Sequence, residues 1–524
     1  MKPLFLLFLL PLFGIAQNFP FSVELKPQNV PGLPGLHSFA LGHYQGKSVF
    51  IGGRLDGIHA RQPFNAFPAA SNNNRIYVVD FQTKQVWSSP ISGLDTGVTD
   101  QLQATNFNFI QKGDNLFIVG GYGFSTTVQD HITHPWLTVL PLDLIVPKII
   151  SNQPWSGAVL SAQDSSFAVT GGQMATFGDT LCIVGGQRFD GRYNPMGHTT
   201  FVQNYTSAIR RFSVQKQGSN LQIQWFSPLL SSDHLHRRDY NLVPILEANG
   251  NRSYAISSGV FQPLVDLPYL YPVQITSQGI QADTSFSQRL SHYHSAKSSI
   301  FDPISQSMHF LFLGGMSQFQ YQNGQLVADA TVPFVRTISR LTRNAQGQWS
   351  EFPLGQMPGY LGAGAEMVID HQNPAFNSDE IFTLPTTTFP DSIRLGWMVG
   401  GISSSIPNAF TSNSTGLTSA NPLVYEVWLK NNRLASQNLD EAQPYGLWDS
   451  GNQQLWVRWE MKSGGAVKLS LTNLEGKSVK KRIIKTVEPG FREHVWEIQD
   501  LNAGVYLFQI QWEGKSFSQK LMIR

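Results

Sequence analysis

Leu181-Cys182-Ile183-Val184-Gly185-Gly186 is a short apolar run ended by two glycines, and the pattern recurs along the chain. Val49-Phe50-Ile51-Gly52-Gly53 and Leu116-Phe117-Ile118-Val119-Gly120-Gly121 come before it. Phe310-Leu311-Phe312-Leu313-Gly314-Gly315 and Gly396-Trp397-Met398-Val399-Gly400-Gly401 come after, with a degenerate copy at Tyr254-Ala255-Ile256-Ser257-Ser258-Gly259. The final glycines are 68, 65, 73, 56 and 86 residues apart. Apolar runs of this length bounded by turn residues read as buried strands, and self-similarity at a long period reads as a repeat architecture. Six units result.

Other strands flank each run. Upstream lie His37 to Tyr44, Asn106 to Gln111, Tyr240 to Leu246, His294 to Phe301 and Gly362 to Asp370. Downstream, past a long polar loop, come Arg75 to Asp80, Ala208 to Val214, Thr337 to Leu341 and Val424 to Leu429. A fourth segment carries Trp and then Pro, as in Trp87-Ser88-Ser89-Pro90, Trp225-Phe226-Ser227-Pro228 and Trp349-Ser350-Glu351-Phe352-Pro353. Four short strands per unit with a periodic Gly/aromatic motif are the signature of propeller blades. These residues resemble the kelch repeat, whose glycine pair follows the second strand. The expected fold is therefore all-β, a six-bladed kelch-like β-propeller over residues 18–432. The last unit lacks a fourth strand, and Phe21-Ser22-Val23-Glu24-Leu25-Lys26-Pro27 is an orphan one. It is expected to close the ring by joining the sixth blade, which removes free sheet edges.

After about Asp440 the glycine-pair units stop, and alternating strands follow at Leu455–Trp459, Val467–Leu474, Val479–Ile484, His494–Ile498, Val505–Trp512 and Phe517–Ile523. Short strands with tight turns read as a small C-terminal β-sandwich. The stretches Leu471 to Val479, Leu501 to Leu507 and Lys520 to Arg524 resemble the type A sorting domain of the type IX secretion system of Bacteroidota. That resemblance implies a sorting signal at Gly476, Lys477, Gly504, Val505, Tyr506 and Lys520, and the type IX secretion machinery as partner. Gln443-Pro444-Tyr445-Gly446 stands where the family has Pro-Asn-Pro. The expected boundaries are a linker over 433–450 and the sorting domain over 451–524.

At the other end, Lys2, an apolar run Leu4 to Phe13 and Gly14-Ile15-Ala16 read as a secretory signal peptide over 1–16. No later run approaches the roughly 20 apolar residues of a transmembrane helix, so no transmembrane anchor is expected. The route is export through the periplasm to the outer cell surface or the medium. One cysteine in 524 residues excludes a disulfide framework and Cys-rich zinc sites. A net charge of +2 with 14 % charged residues offers no electrostatic footprint for nucleic acid.

In the kelch family, loops joining second to third strands open on one face with the residues that enter the first strands. Here those loops are long: 54–74, 122–137, 187–207, 316–336 and 402–422. Arg54-Leu55-Asp56-Gly57-Ile58-His59 and Gln187-Arg188-Phe189-Asp190-Gly191-Arg192 share an Arg-x-Asp-Gly element. It is either an anion clamp or a turn in which Asp caps backbone amides. His236-Arg237-Arg238 and His292-Tyr293-His294 enter first strands. The candidate ligand-binding residues are thus Arg54, Asp56, His59, Arg188, Asp190, Arg192, His236, Arg237, Arg238, His292 and His294. His-x-His on a strand places both imidazoles on one face, a spacing metals use, but no carboxylate cluster accompanies it; no metal or cofactor is expected. Cys182 lies inside a buried strand, which argues against the copper-radical chemistry of galactose-oxidase-like kelch enzymes. The expected function is a surface-exposed or secreted glycan- or protein-binding module. A carbohydrate-active enzyme, such as a sialic-acid-mutarotase-like epimerase, is the alternative.

Overall fold

The computed structural model describes residues 21–62, 64–194, 200–322, 325–387, 390–431, 444–449, 453–461, 463–487 and 490–523. The signal peptide expected at 1–16, and 433–443 and 450 of the expected linker, lie outside the described residues. The chain is all-β and divides into two compact units. One comprises Val23–Gln320 and Val327–Leu429, and the other is built on Lys430–Arg524.

The larger unit is a succession of six antiparallel sheets. The first is Ala40–Tyr44, Lys47–Ile51, Arg75–Asp80 and Gln85–Pro90; the second Asn108–Lys112, Asn115–Val119, Trp136–Pro141 and Leu160–Gln163. The third is Gln173–Phe177, Thr180–Val184, Ala208–Gln217 and Asn220–Leu230; the fourth Arg252–Ser257 beside Asn241–Leu246, then Val273–Ile275 and Ile280–Ala282. The fifth is Ala296–Asp302, Ser307–Leu313, Thr337–Arg343 and Trp349–Gln356. The sixth pairs Tyr360–Ile369, Ser392–Ser404 and Val424–Asn431, and its outer strand is the N-terminal Phe21–Gln28. The orphan strand read from the sequence thus pairs with the strand that lacked a partner.

The sheets are tied at the start of their first strands by a cycle of backbone hydrogen bonds. Ser38 N–H donates to Gly364 O (2.8 Å), Gly364 to His294 (2.8 Å) and His294 to Asp239 (2.9 Å). Asp239 N–H donates to Gly171 O (2.7 Å), Gly171 to Asn106 (3.1 Å), and Asn106 back to Ser38 (3.1 Å). One residue from each sheet takes part, and the sixth bond returns to the residue that began the cycle. Ser38, Asn106, Gly171, Asp239 and Gly364 all have φ between 52° and 70°. Left-handed backbone is costly for most residues, and Gly, Asn and Asp tolerate it best.

The glycine pairs sit beside this cycle. At Gly120, φ is +68° and an added Cβ would lie 1.8 Å from Val169 O of the next sheet; at Gly400, φ is +70° and the Cβ would lie 2.1 Å from Leu36 O. The second glycine of each pair donates across the same seam, Gly121 to Val169 O (3.1 Å) and Gly401 to Leu36 O (2.8 Å). Between successive sheets lie separate apolar cores. Ala40, Val49, Ile76 and Val78 pack with Leu116, Ile118 and Leu140 between sheets one and two. Phe50, Tyr77 and Phe81 pack with Val368, Trp397 and Val399 between sheets one and six.

Two helices interrupt the pattern. Thr96–Leu102 and Leu142–Ile150 have no repeat signature, and they bury Val98, Leu102, Ile145, Val146 and Ile149 in the core between sheets one and two. The connections between first and second strands span 2, 2, 2, 5 and 4 residues in sheets one to five, and 22 in the sixth. In the shortest, Gln45 and Gly46 both have positive φ, the requirement of a type I′ hairpin turn.

The C-terminal unit has two sheets. One is Tyr445–Asp449, Gln454–Met461 and Gly490–Glu497; the other is Ser478–Val487, Gly465–Asn473, Gly504–Trp512 and Lys515–Ile523. Leu455, Val457 and Trp459 on the first face Leu469, Leu471, Phe508 and Ile510 on the second. Tyr445–Asp449, placed in a linker by the sequence, pairs in register with Gln454–Arg458, so the sandwich begins before 451.

Gly120→Ala is expected to destabilise the larger unit by several kcal/mol, because left-handed strain of about 1–2 kcal/mol adds to a clash with rigid backbone. Gly113→Ala, also left-handed but with nothing within 4 Å of the new Cβ, should cost about 1 kcal/mol. Thermal melts of the two variants check the contrast.

Candidate functional site

The first strands run from the hydrogen-bonded cycle to the first hairpins, which defines a loop end and a hairpin end of the six-sheet unit. The long loops gather at the loop end, and hairpins form within them, among them Tyr122–Ser125 with Asp130–Thr133 and Gln187–Gly191 with Phe201–Tyr205. Most of their polar groups bind one another. Arg54, 2 % exposed, donates to Asp56 Oδ1 (2.8 Å) and Asn72 Oδ1 (2.8 Å), and its guanidinium lies 5.3 Å from the Phe67 ring centre. Arg188 makes the same ion pair two residues on, with Asp190 at 2.6 Å. In both Arg-x-Asp-Gly elements the arginine is therefore held by its own aspartate. Burial opposes the Asp56 charge, but the His37 ring, its Nε2 3.8 Å from Oδ1, and the hydrogen-bonded Arg54 guanidinium outweigh it and hold the carboxyl at about 2.

His59 stacks on Phe67 (4.5 Å) and meets Tyr193 (4.6 Å) and Phe410 (5.3 Å) edge-on, and burial lowers its pKa to about 4. Those rings come from the loops of sheets one, three and six. Arg192 donates to Ala66 O (2.9 Å), and Asp190 accepts from Thr133 N–H (3.2 Å), so the loops are joined across sheets.

The residues entering the fourth and fifth sheets also have partners. His236 stacks on Tyr205 at 3.8 Å, with Nδ1 2.9 Å from Phe261 O. Arg237 is fully buried, donating to Ser258 O and Tyr271 O beneath the Tyr269 ring. Arg238 pairs with Asp239 and donates to the Tyr205 hydroxyl (3.2 Å). His292 is sealed, its Nδ1 2.5 Å from Gly314 O, and burial lowers its pKa to about 4. His294 goes elsewhere, with Nε2 2.7 Å from Glu366 Oε1. The expected common face of His292 and His294 is not formed, because the strand starts at Ala296 and its alternation does not reach back to them.

At the hairpin end the first strands enclose a cavity of about 530 Å³. Its wall carries the ionisable side chains His294, Lys297, Glu366, Arg252, Asp379 and Glu380, with Gln111, Gln173 and Asn377 among the neutral polar ones. Glu366 is 8 % exposed at its side chain, against His294 and with Lys297 Nζ at 3.7 Å. Burial alone would raise its pKa, but Lys297 and His294 more than offset this and leave it below the ordinary carboxylate value. The long connection of the sixth sheet supplies the far side. Within it, Ile381–Thr383 adds in parallel to Ser299–Phe301 of sheet five, and Asp379 pairs with Arg252 of sheet four. His371 stacks on His43 of sheet one, 3.6 Å between ring centres. Neighbouring protein, with Glu366 and Asp379 close by, raises the pKa of the Glu380 carboxyl against the pull of Lys297, although its side chain stays open to solvent.

Of the residues singled out from the sequence, His294 alone lines this cavity; Lys297, Glu366, Arg252, His43, His371, Asp379 and Glu380 were missed. One signal was available: Lys297 and Glu366 are charges on strands expected to line the channel. The connection 370–391 belongs to no repeat, and no spacing rule assigns it a place.

Comparison with known proteins defines the class of the C-terminal unit. Residues 452–524 match the family described as the secretion system C-terminal sorting domain. The chain therefore carries a type IX sorting domain, and its destination is the outer cell surface. Among the described residues no helix is long and apolar enough to cross a membrane. Gly476 and Lys477 sit at an exposed turn, Val505 and Lys520 on paired strands, and Gly504 starts the strand whose Tyr506 hydroxyl donates to Asn502 O (2.8 Å).

No curated protein matches the chain. Two solved structures align over much of it at 9 % identity. One is PorZ, titled an essential bacterial surface component of the type-IX secretion system of Porphyromonas gingivalis, with 93 % of this chain and 75 % of that one covered at a TM-score of 0.16. The other is RS223-Beta-xylosidase, with 76 % and 94 % covered at a TM-score of 0.27.

Asp56→Asn leaves the buried Arg54 guanidinium without its ionic partner. The variant should lose roughly 2–3 kcal/mol at neutral pH, less than a fully enclosed pair would because Asp56 is partly exposed. The Asp56 pKa is depressed, so this stabilisation is complete above the ordinary value of 3.8 and vanishes as pH falls towards 2. Urea unfolding of both proteins across that window should show the gap closing.

Proposed function

We propose that the six sheets are the blades of a kelch-type β-propeller, and that this exported propeller is a binding module for a glycan, held in the hairpin-end cavity. The cycle of six backbone hydrogen bonds and the pairing of Phe21–Gln28 into the sixth sheet support the propeller reading. The observation that carries the binding reading is the group His294, Glu366 and Lys297 on the wall of a cavity of about 530 Å³, in a chain with 14 % charged residues. A pocket of that size accommodates one or two sugar rings, and convergent charged and amide groups suit a hydroxyl-rich ligand. The loop end is the weaker candidate, since its arginines and histidines are largely spent on one another. A protein partner there would meet the exposed Arg188 and the rims of the two inserted hairpins.

One observation favours the enzymatic alternative, a sialic-acid-mutarotase-like epimerase. Glu380, whose pKa is raised, shares the cavity with Glu366, whose pKa is lowered, and carboxyl groups pushed in opposite directions are the usual acid/base arrangement. In this reading His294 positions Glu366.

Glycan-array binding and an anomerisation assay on the exported protein test both readings. Glu366→Gln and Lys297→Met should each weaken glycan binding by about 10- to 100-fold, the loss expected for a charge-assisted hydrogen bond. Arg188→Ala should leave it unchanged. Equal binding by all three proteins would remove the cavity from the function. A sharp fall in turnover with unchanged affinity in Glu366→Gln would favour the enzyme.

A further inference from the structure

We propose that His43, His371 and Glu380 form a binding site for a transition-metal dication of the Zn(II) class, which fastens the connection 370–391 to the first sheet at the hairpin end. One ligand atom from each residue lies within 4.8 Å of the others. The three come from distant parts of the chain: His43 from the strand Ala40–Tyr44, and His371 and Glu380 from the sixth sheet's connection. Their meeting is a product of the fold and not of local sequence.

The donors are free to act. Among the described residues, no hydrogen bond engages the ring nitrogens of His43 or His371, and the Glu380 carboxylate has no ion-pair partner. The backbone of His43 is fixed on both sides, since its N–H donates to Gln111 Oε1 (2.7 Å) and its carbonyl accepts from Gln111 Nε2 (2.8 Å). The nearby positive charge, Lys297, is countered by Glu366 at 3.7 Å, and Asp370 is taken by Arg394. Two imidazole rings stacked at 3.6 Å gain little from each other, whereas rings splayed so that their in-plane lone pairs converge on one cation would both be satisfied.

The donor set decides the class of ion. Two imidazoles and one carboxylate suit Zn(II) and its neighbours, while Ca(II) and Mg(II) demand oxygen ligands throughout. Tetrahedral bonds of about 2.0–2.1 Å place donors roughly 3.3 Å apart, so side-chain rotations of an ångström or so close the site. The fourth position would face the cavity. Coordination would replace the weak His43–His371 stack by a firm tie to sheet one, in a connection already pinned to sheet five by Ile381–Thr383 and to sheet four by Asp379.

The test uses the full exported chain, stripped with chelator and titrated with ZnCl2 by calorimetry, with Co(II) absorption as the coordination signature. One equivalent of Zn(II) should bind, Co(II) should show the intense visible bands of a tetrahedral site, and Ca(II) should not compete. His371→Ala and Glu380→Gln, both on an exposed connection, should fold as the parent does and each weaken binding by about tenfold or more. Zn(II) should also slow proteolysis within 370–391 in the parent and not in the variants. Absence of a one-equivalent site, equal affinity for Ca(II), or Zn(II) binding unaltered in both variants would overturn the proposal. None of these readouts requires a glycan, so the site stands or falls apart from the binding function.

Discussion

Everything in the larger unit hangs on six peptide groups that donate to one another around a cycle. Each N–H at the entry to a first strand finds its acceptor on a neighbouring sheet, so no sheet satisfies its own entry residue alone. The cost is left-handed backbone at five of the six positions, met by two glycines, an asparagine, an aspartate and a serine. With that geometry set, the glycine pairs must pass within van der Waals contact of the next sheet's entry loop. A methyl group there has nowhere to go. The apolar cores then fill the space between successive sheets, and residues of the six first strands line the cavity.

Much of this is legible in the sequence because it repeats. The run Leu181 to Gly186 is recognisable five times, and the degenerate copy ending Ser258-Gly259 keeps the left-handed conformation at both positions. The pairing of Phe21–Gln28 is legible by deficit, since one unit lacks a strand and one strand lacks a unit. What does not repeat is opaque. The helix Leu142–Ile150 contains Pro147 and is held by tertiary burial of Ile145, Val146 and Ile149, which overrides its local propensity. Tyr445–Asp449 follows a polar stretch and gains its identity from Gln454–Arg458 across a turn.

Candidate site residues were harder to read for a related reason. Arginine beside aspartate and glycine looks alike whether the arginine awaits a ligand or its own neighbour, and here Arg54 and Arg188 both choose the neighbour. His292 and His294 show the limit of period-two reasoning: a strand beginning two residues late sends one ring behind the sheet and the other into the channel. The electrostatics repeat this division of labour. At the loop end opposite charges cancel within a few ångströms. In the cavity Lys297 and His294 hold the Glu366 pKa down, while at Glu380 two neighbouring carboxylates work against Lys297 and the pKa is raised.

The placement of Phe21–Gln28 also sets an order of events in time. That strand is made about 400 residues before its partner Val424–Asn431. Among the described residues this pairing has the greatest sequence separation of any two strands, so its loop-closure entropy is the largest to be overcome. The sorting domain lies beyond Val424–Asn431, so the address label emerges only after the strand that completes the cargo.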